Sequence, residues 1–195
     1  MIALIEYGAG NTASVSNALN SLGYDHLITN REDEIIKADK IIFPGVGEAS
    51  SAMRRLHMNN LFNLLRIVKK PLLGICLGMQ LLCERSLEGD VACLGIFPTE
   101  SEKFDSTKTK VPHMGWNEIE IKKESLLFSG IENGEYFYFA HSFYLPINNY
   151  TTSSAVQDVE FTASMQKDNF YGVQFHPEKS GEVGMRLLKN FVELC

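Results

Sequence analysis

Through the first 85 residues of this 195-residue chain, short apolar runs alternate with amphipathic stretches, and Gly, Pro or Asn punctuates the joins. Residues 2–6 read as a buried strand that ends on an acid. Tyr7-Gly8-Ala9-Gly10 then turns, with Asn11 placed as a helix N-cap. Val15, Ala18, Leu19 and Leu22 follow at the i, i+3, i+4, i+7 spacing of an amphipathic helix, which Gly23 closes. Strands are expected at 25–29, at 41–43 before Pro44-Gly45-Val46-Gly47, and at 72–75 after Pro71. Helical pattern covers 49–68, with a break at Asn59-Asn60, and resumes over 77–84. Strand–helix alternation of this kind predicts an open, mostly parallel α/β sheet with helices on both faces.

The pattern then changes. Residues 96–173 read as short strands and turns, with strands expected at 118–121, 136–140, 154–159 and 170–175. Ser180 is placed as the cap of a last helix carrying Val183, Leu187, Leu188 and Phe191. No internal repeat, low-complexity tract or linker interrupts the chain, so one α/β domain over 1–195 with β-rich additions is expected.

Composition narrows the class. Hydrophobic residues make up 45% and charged residues 22%, which excludes collagen, a coiled coil and a disordered chain. Eighteen basic against 24 acidic residues leave a net charge of −6, which argues against a nucleic-acid partner bound by phosphate neutralisation. The N-terminus lacks the basic and apolar regions of a signal peptide, and no apolar run is long enough for a membrane span. A cytoplasmic protein with no membrane partner is expected. No Gly-x-Gly-x-x-Gly, P-loop or metal-ligand cluster occurs, so neither cofactor nor metal is expected. Of the four cysteines, Cys83, Cys93 and Cys195 read as small hydrophobes.

Cys76 reads differently, because it sits in Gly74-Ile75-Cys76-Leu77-Gly78 between a predicted strand and a predicted helix. A nucleophile flanked by glycines at ±2 in that setting is an elbow. It stands on a strained turn, small neighbours let two backbones cross, and the following helix points its N-terminus at the thiolate. Alone, the motif also fits a plain strand–turn–helix with a buried Cys. His176 supplies the base such a thiol needs. It ends the strand Tyr171-Gly172-Val173-Gln174-Phe175, where open α/β sheets place their sites. In His176-Pro177-Glu178 the carboxylate is two residues away and can fix the imidazole tautomer. A zinc deaminase reading of His-x-Glu fails, since no Pro-Cys-x-x-Cys follows. His26 and His57 read as structural or surface residues. Pro44-Gly45-Val46-Gly47 can turn a backbone N–H into a pocket, to pair with that of Leu77 as an oxyanion hole, and is equally a plain turn by itself. Gln80, one helical turn past Cys76, can face a polar substrate or simply the surface.

Together, in order and spacing, these motifs resemble the class I (triad) glutamine amidotransferases over essentially the whole chain. Tyr7-Gly8-Ala9-Gly10-Asn11, Pro112-His113-Met114-Gly115-Trp116-Asn117 and Tyr138-Phe139-Ala140-His141-Ser142 are similar to the histidine-biosynthesis branch of that family. The resemblance implies a flavodoxin-like fold and a glutaminase. Glutamine becomes glutamate, and the ammonia passes to a separate (β/α)8-barrel synthase subunit, bound as a heterodimer, which makes imidazole glycerol phosphate and AICAR. It implies Cys76 as nucleophile, His176 as acid/base, Glu178 as its orienting partner, and Val46 and Leu77 as oxyanion donors. It further implies Gly47, Gln80, Ser142 and Phe143 as glutamine contacts, and Asn11, Trp116, Tyr138 and Lys179 at the synthase interface. The Val46 N–H is expected to point away from the site until the synthase carries its substrate. Three alternatives remain: a paralogous glutaminase serving another synthase, for example in modified-sugar biosynthesis; a free-standing Cys hydrolase or peptidase; and a non-catalytic module that keeps the fold. Gln80 with intact PGVG and HPE segments speaks against the second, and a complete triad against the third.

Overall fold

β1 (Ile2–Ile5) alternates its side chains between two cores: Ile2 and Leu4 enter one, Ala3 and Ile5 the other. That division organises the first half of the chain. The computed structural model describes residues 1–195. α1 (Thr12–Ser21) follows β1, then β2 (His26–Thr29), α2 (Glu32–Lys37), β3 (Lys40–Gly45), α3 (Ala49–Met58), α4 (Leu61–Ile67), β4 (Leu72–Cys76) and α5 (Leu77–Leu81). The second half adds β5 (Cys83–Ser86), β6 (Val91–Ala92), β7 (Phe97–Lys103), β8 (His113–Glu118), β9 (Glu120–Ile121), β10 (Tyr136–His141) and β11 (Phe143–Tyr144). It closes with β12 (Thr151–Val156), β13 (Glu160–Lys167), β14 (Phe170–Val173) and α6 (Gly181–Leu194).

The main sheet has eight strands in the order β2-β1-β3-β4-β14-β13-β12-β9. From β2 to β14 all neighbours are parallel, and the last three strands run antiparallel. Side chains of α2 to α5 fill the core on one face, and those of α1 and α6 the core on the other. The expected α/β sheet with helices on both faces is present, with a mixed rather than mostly parallel second half. A four-stranded sheet (β11-β7-β5-β6) and a two-stranded ribbon (β10-β8) complete the fold. No helix is long and apolar enough to cross a membrane.

The differences from expectation have physical causes. Helix α5 stops at Leu81 instead of running to residue 84. The backbone N–H groups of Cys93, Leu94, Gly95 and Ile96 bond the carbonyls of Glu84, Leu81, Cys83 and Leu82, drawing 83–86 into a strand. α2 carries a helix signature without a long apolar stripe: Glu32, Asp33 and Glu34 open it, Lys37 closes it, and Ile35 alone is buried. β13 hides because much of its buried face is polar. Hydroxyl pairs satisfy it, Thr162 with Thr151, and Ser164 with both Thr152 and Ser153. The expected strand at 118–121 is two strands broken at Ile119, and that at 154–159 begins earlier, at Thr151. Ser180 precedes α6 but its side chain does not cap it. Its hydroxyl takes the Tyr138 N–H at 3.0 Å and donates to the His176 carbonyl at 2.6 Å. Asn11 does cap α1, accepting from the Ser14 N–H.

The close crossing of β3, β4 and α5 depends on small residues. A Cβ on Gly78 would stand 1.9 Å from the Phe43 carbonyl oxygen, and one on Gly74 2.8 Å from the Met79 nitrogen. Both obstacles are backbone. Gly78→Ala should therefore destabilise the fold by about 2 kcal/mol or more, the usual scale for overpacking. A lowered midpoint in urea unfolding, with unchanged slope, is the expected result.

Candidate active site

Cys76 is the last residue of β4 and adopts φ +55°, ψ −113°, a left-handed backbone that a non-glycine residue rarely takes. α5 begins at the next residue, so the thiol stands where the first helical N–H groups lack intrahelical partners. β14 lies beside β4, and the chain leaving it carries His176 to the same sheet edge. The His176 N–H bonds the Tyr138 carbonyl at 2.8 Å, and Ser180 holds its carbonyl, so its backbone is fixed at both ends. Its Nδ1 lies 2.9 Å from Glu178 Oε1, with the two side chains 4% and 1% exposed. Burial acts to lower the imidazole pKa. The Cys76 charge and hydrogen bond, followed by those of Glu178, outweigh it and lift the value to about 10. The other Glu178 oxygen is buried without a partner. Cys76, His176 and Glu178, far apart in sequence, are thus brought into one chain of contacts.

Above Cys76 opens a cavity of about 220 Å³ that includes Val46, Gly47, Leu77, Gln80, Ser142 and Phe143 in its lining, every residue expected at the oxyanion hole or the glutamine contacts. Two details refine the expectation. The Val46 N–H donates to the Ala9 carbonyl at 2.8 Å, so it is engaged by the Tyr7–Asn11 turn and not turned toward the sulfur. The Glu6 carboxylate steadies that turn by accepting from Gly8 N–H and Thr12 Oγ1. Gln80 is buried, not a surface residue. Its Nε2 is spent on the Phe143 carbonyl (2.9 Å) and Gln174 Oε1 (2.8 Å), which leaves only its oxygen for a ligand. No group of three or more His, Cys, Asp or Glu residues is arranged to hold a metal.

The class-I glutamine amidotransferase family model matches residues 3–195. The chain belongs to that family. It is 48% identical over 195 residues to the imidazole glycerol phosphate synthase subunit HisH of Bacteroides fragilis, covering 99% of each chain. With the protein of the same name from Buchnera aphidicola it shares 45% over 194 residues, again 99% of each. Among solved structures, a glutamine amidotransferase superposes with TM-score 0.77 at 15% identity, over 100% of this chain and 98% of that one. PurLQS from Thermotoga maritima superposes with TM-score 0.74 at 20% identity, over 98% and 96%. At such identities the last two attest the fold.

Three features of this amidotransferase site escaped the sequence. Glu88 lines the cavity and accepts the Ala49 N–H at 3.0 Å, and burial raises its pKa. It sits in a turn after a strand whose first two residues were read as helix, so no periodicity pointed to it. Tyr7 is buried, its hydroxyl is unpartnered, and burial followed by the Cys76 charge raises its pKa. His113 and His141 meet ring to ring, 3.0 Å between Nδ1 and Nε2, and His141 also lines the cavity. Elsewhere on the surface, Trp116 meets Tyr138 edge-on at 6.1 Å, and Lys179 Nζ lies 5.9 Å from the Tyr138 ring. Met114, Trp116 and Tyr136 of the ribbon are all more than half exposed, and Met114 reaches the cavity rim. α1, opened by Asn11, packs on the Pro177–Lys179 turn.

Burial lowers the pKa of His141 to about 3 and that of His113 in the same direction. An unfolded histidine titrates near 6.5, so between about 6.5 and 3 the unfolded chain binds the extra proton. Stability contributed by the neutral pair is therefore complete above about pH 6.5 and is lost as pH falls toward 3. Urea unfolding from pH 7 to pH 4 should show this decline, and His141→Phe should make it shallower.

Proposed function

We propose that this chain is the glutaminase subunit of an imidazole glycerol phosphate synthase. The observation that carries the reading is Cys76 in a left-handed elbow, facing the His176–Glu178 pair beneath a cavity with both a carboxylate and an amide acceptor. Relatives that carry this name, 45–48% identical over nearly their whole length, support it.

The mechanism follows from the geometry. The side-chain amide of glutamine enters the cavity, and the Glu88 carboxylate is the natural partner for its α-ammonium group. Cys76 Sγ, as thiolate beside protonated His176, attacks the amide carbon. A tetrahedral oxyanion forms, to be met by the Leu77 and Val46 N–H groups. His176 gives its proton to the departing ammonia and leaves a glutamyl thioester. It then takes a proton from water, which attacks the thioester and releases glutamate. Glu178 receives the Nδ1 proton bond throughout and keeps the other ring nitrogen toward sulfur. Ammonia requires a second active site, so a synthase subunit must cover the exit. The exposed Met114–Trp116–Tyr136–Tyr138 face, with Lys179 beside it and Asn11 on the adjoining α1, is the surface we assign to a (β/α)8-barrel partner in a heterodimer. An aromatic patch with a cation on its border is the composition of an interface centre.

In the complex with such a synthase, Cys76→Ala should abolish glutamine-dependent formation of imidazole glycerol phosphate and leave ammonia-dependent formation intact. Equal loss of both would refute the division of labour. The engaged Val46 N–H leads to a second expectation. One missing oxyanion donor costs about 3 kcal/mol, roughly a hundredfold in rate. The isolated chain should hydrolyse glutamine at least about a hundredfold more slowly than the complex carrying the synthase's nucleotide substrate, measured as glutamate released.

A further inference from the structure

Beyond the triad, the Phe143 carbonyl holds the cavity's polar groups in one direction. A carbonyl only accepts, so both groups that reach it must donate: His141 Nδ1 at 2.7 Å and Gln80 Nε2 at 2.9 Å. The rest follows by elimination. With its proton on Nδ1, neutral His141 accepts at Nε2 from His113 Nδ1. His113 then accepts at Nε2 from Asn117 Nδ2, 3.4 Å away on the partner-facing ribbon. On the other branch, Gln80 gives its second amide hydrogen to Gln174 Oε1 at 2.8 Å. That fixes the Gln174 amide, whose nitrogen lies 3.6 Å from Cys76 Sγ. A protonated imidazole at His141 or His113 would set donor against donor, and burial depresses both pKa values in accord with this.

We propose that Gln174 is a further catalytic residue of the glutaminase, whose amide donates to the Cys76 thiolate, and that Gln80 and the neutral His113–His141 pair are positioning residues that set the direction of that donor. The inference rests on the glutaminase reading for its role in turnover, and on geometry alone for the contact. Gln174 has 0% exposure, and a purely structural residue there would be cheaper as an apolar side chain. Its amide stabilises the thiolate over the thiol, because only the anion is a strong acceptor. The donor lies on β14's exit, on the approach to His176, so sulfur receives one charged and one neutral donor from the same segment. His176 hydrogen-bonds the sulfur, the Ala140 carbonyl lies 3.8 Å from it, the buried Tyr7 hydroxyl senses its charge, and Glu88 and His141 line the cavity above it.

The test is the pH dependence of iodoacetamide alkylation at Cys76 in the full-length chain, read by mass spectrometry of the Cys76 peptide. Gln174→Met removes the donor at similar volume. It should move the acid limb of the profile up by about one pH unit, so that alkylation at a fixed pH below the limb slows about tenfold. Gln174→Glu places a carboxylate against the sulfur and should move the limb up at least as far. His141→Phe should move it in the same direction by less, and His141→Asn, which keeps an N–H at the Nδ1 position, should restore it. In the synthase complex, Gln174→Met should lower kcat with KM for glutamine little changed. A wild-type limb in cooperatively folding Gln174→Met and Gln174→Glu overturns the proposal. Should neither Gln174 variant fold, an unshifted limb in His141→Phe overturns it. Absence of glutaminase activity in the wild-type complex would instead refute the function, and the alkylation limb would still decide the contact.

Discussion

The backbone of Cys76 is held in a conformation it would not choose, and much of the molecule is arranged around that constraint. A left-handed φ at a non-glycine residue costs on the order of 1–3 kcal/mol. It persists because β4 is locked between two parallel neighbours, β3 and β14, and because α5 is pressed against β3 with no side chain at Gly78 between them. The parallel order β3-β4-β14 also sets which residues can meet the sulfur. Parallel strands finish at one edge, so the residues after Phe43, at Cys76 and after Val173 converge without any long-range design beyond strand order. Val46-Gly47, Cys76 and His176 stand at three strand ends in a row.

That dependence explains which parts of the protein were legible in its sequence. Strand ends marked by Gly and Pro announce themselves locally, so β1, β3, β4 and β14, with Cys76 and His176 at the ends of the last two, could be read from residue type and spacing. Asn60 at φ +57° likewise justified the break between α3 and α4. What could not be read depends on partners distant in sequence. Cys83 and Glu84 look like the end of a helix by periodicity and become the start of a strand because residues 93–97 bond the carbonyls of 81–84. β13 and the first residues of β12, Thr151 to Ser153, look like polar loop until their hydroxyls are paired across the ladder. Glu88 and Gln174 carry no motif of their own, and only the fold places Glu88 in the cavity lining and Gln174 beside the sulfur. Ser180 was noticed for a reason that fails. Its hydroxyl serves β10 and the His176 turn rather than the helix.

The β8–β10 ribbon has two faces with different chemistry. Phe137, Phe139, His113 and His141 turn inward, where Phe139 and His113 stack at 5.1 Å, while Met114, Trp116, Tyr136 and Tyr138 turn outward. Tyr138 belongs to both settings. Its ring lies on the outer face, and its backbone bonds the His176 N–H and the Ser180 hydroxyl. A partner that shifted this strand would move the imidazole's own anchor, with no intervening loop to absorb the displacement.

The Val46 N–H shows why such coupling can be large in rate and small in energy. Its bond to the Ala9 carbonyl is one ordinary backbone hydrogen bond, with a net worth of about 1 kcal/mol. The peptide unit that carries this N–H joins Gly45 to exposed Val46, so no buried side chain has to move when it rotates. A donor withheld from a tetrahedral oxyanion costs more, about 3 kcal/mol of barrier, because the anion has no water to replace it. The inequality between those two quantities is what makes the arrangement effective. On the proposed function, a partner that supplied little more than one hydrogen bond's worth of free energy at the Tyr7–Asn11 turn would gain a hundredfold change in turnover, and glutamine would be spared hydrolysis when no acceptor for ammonia is in place.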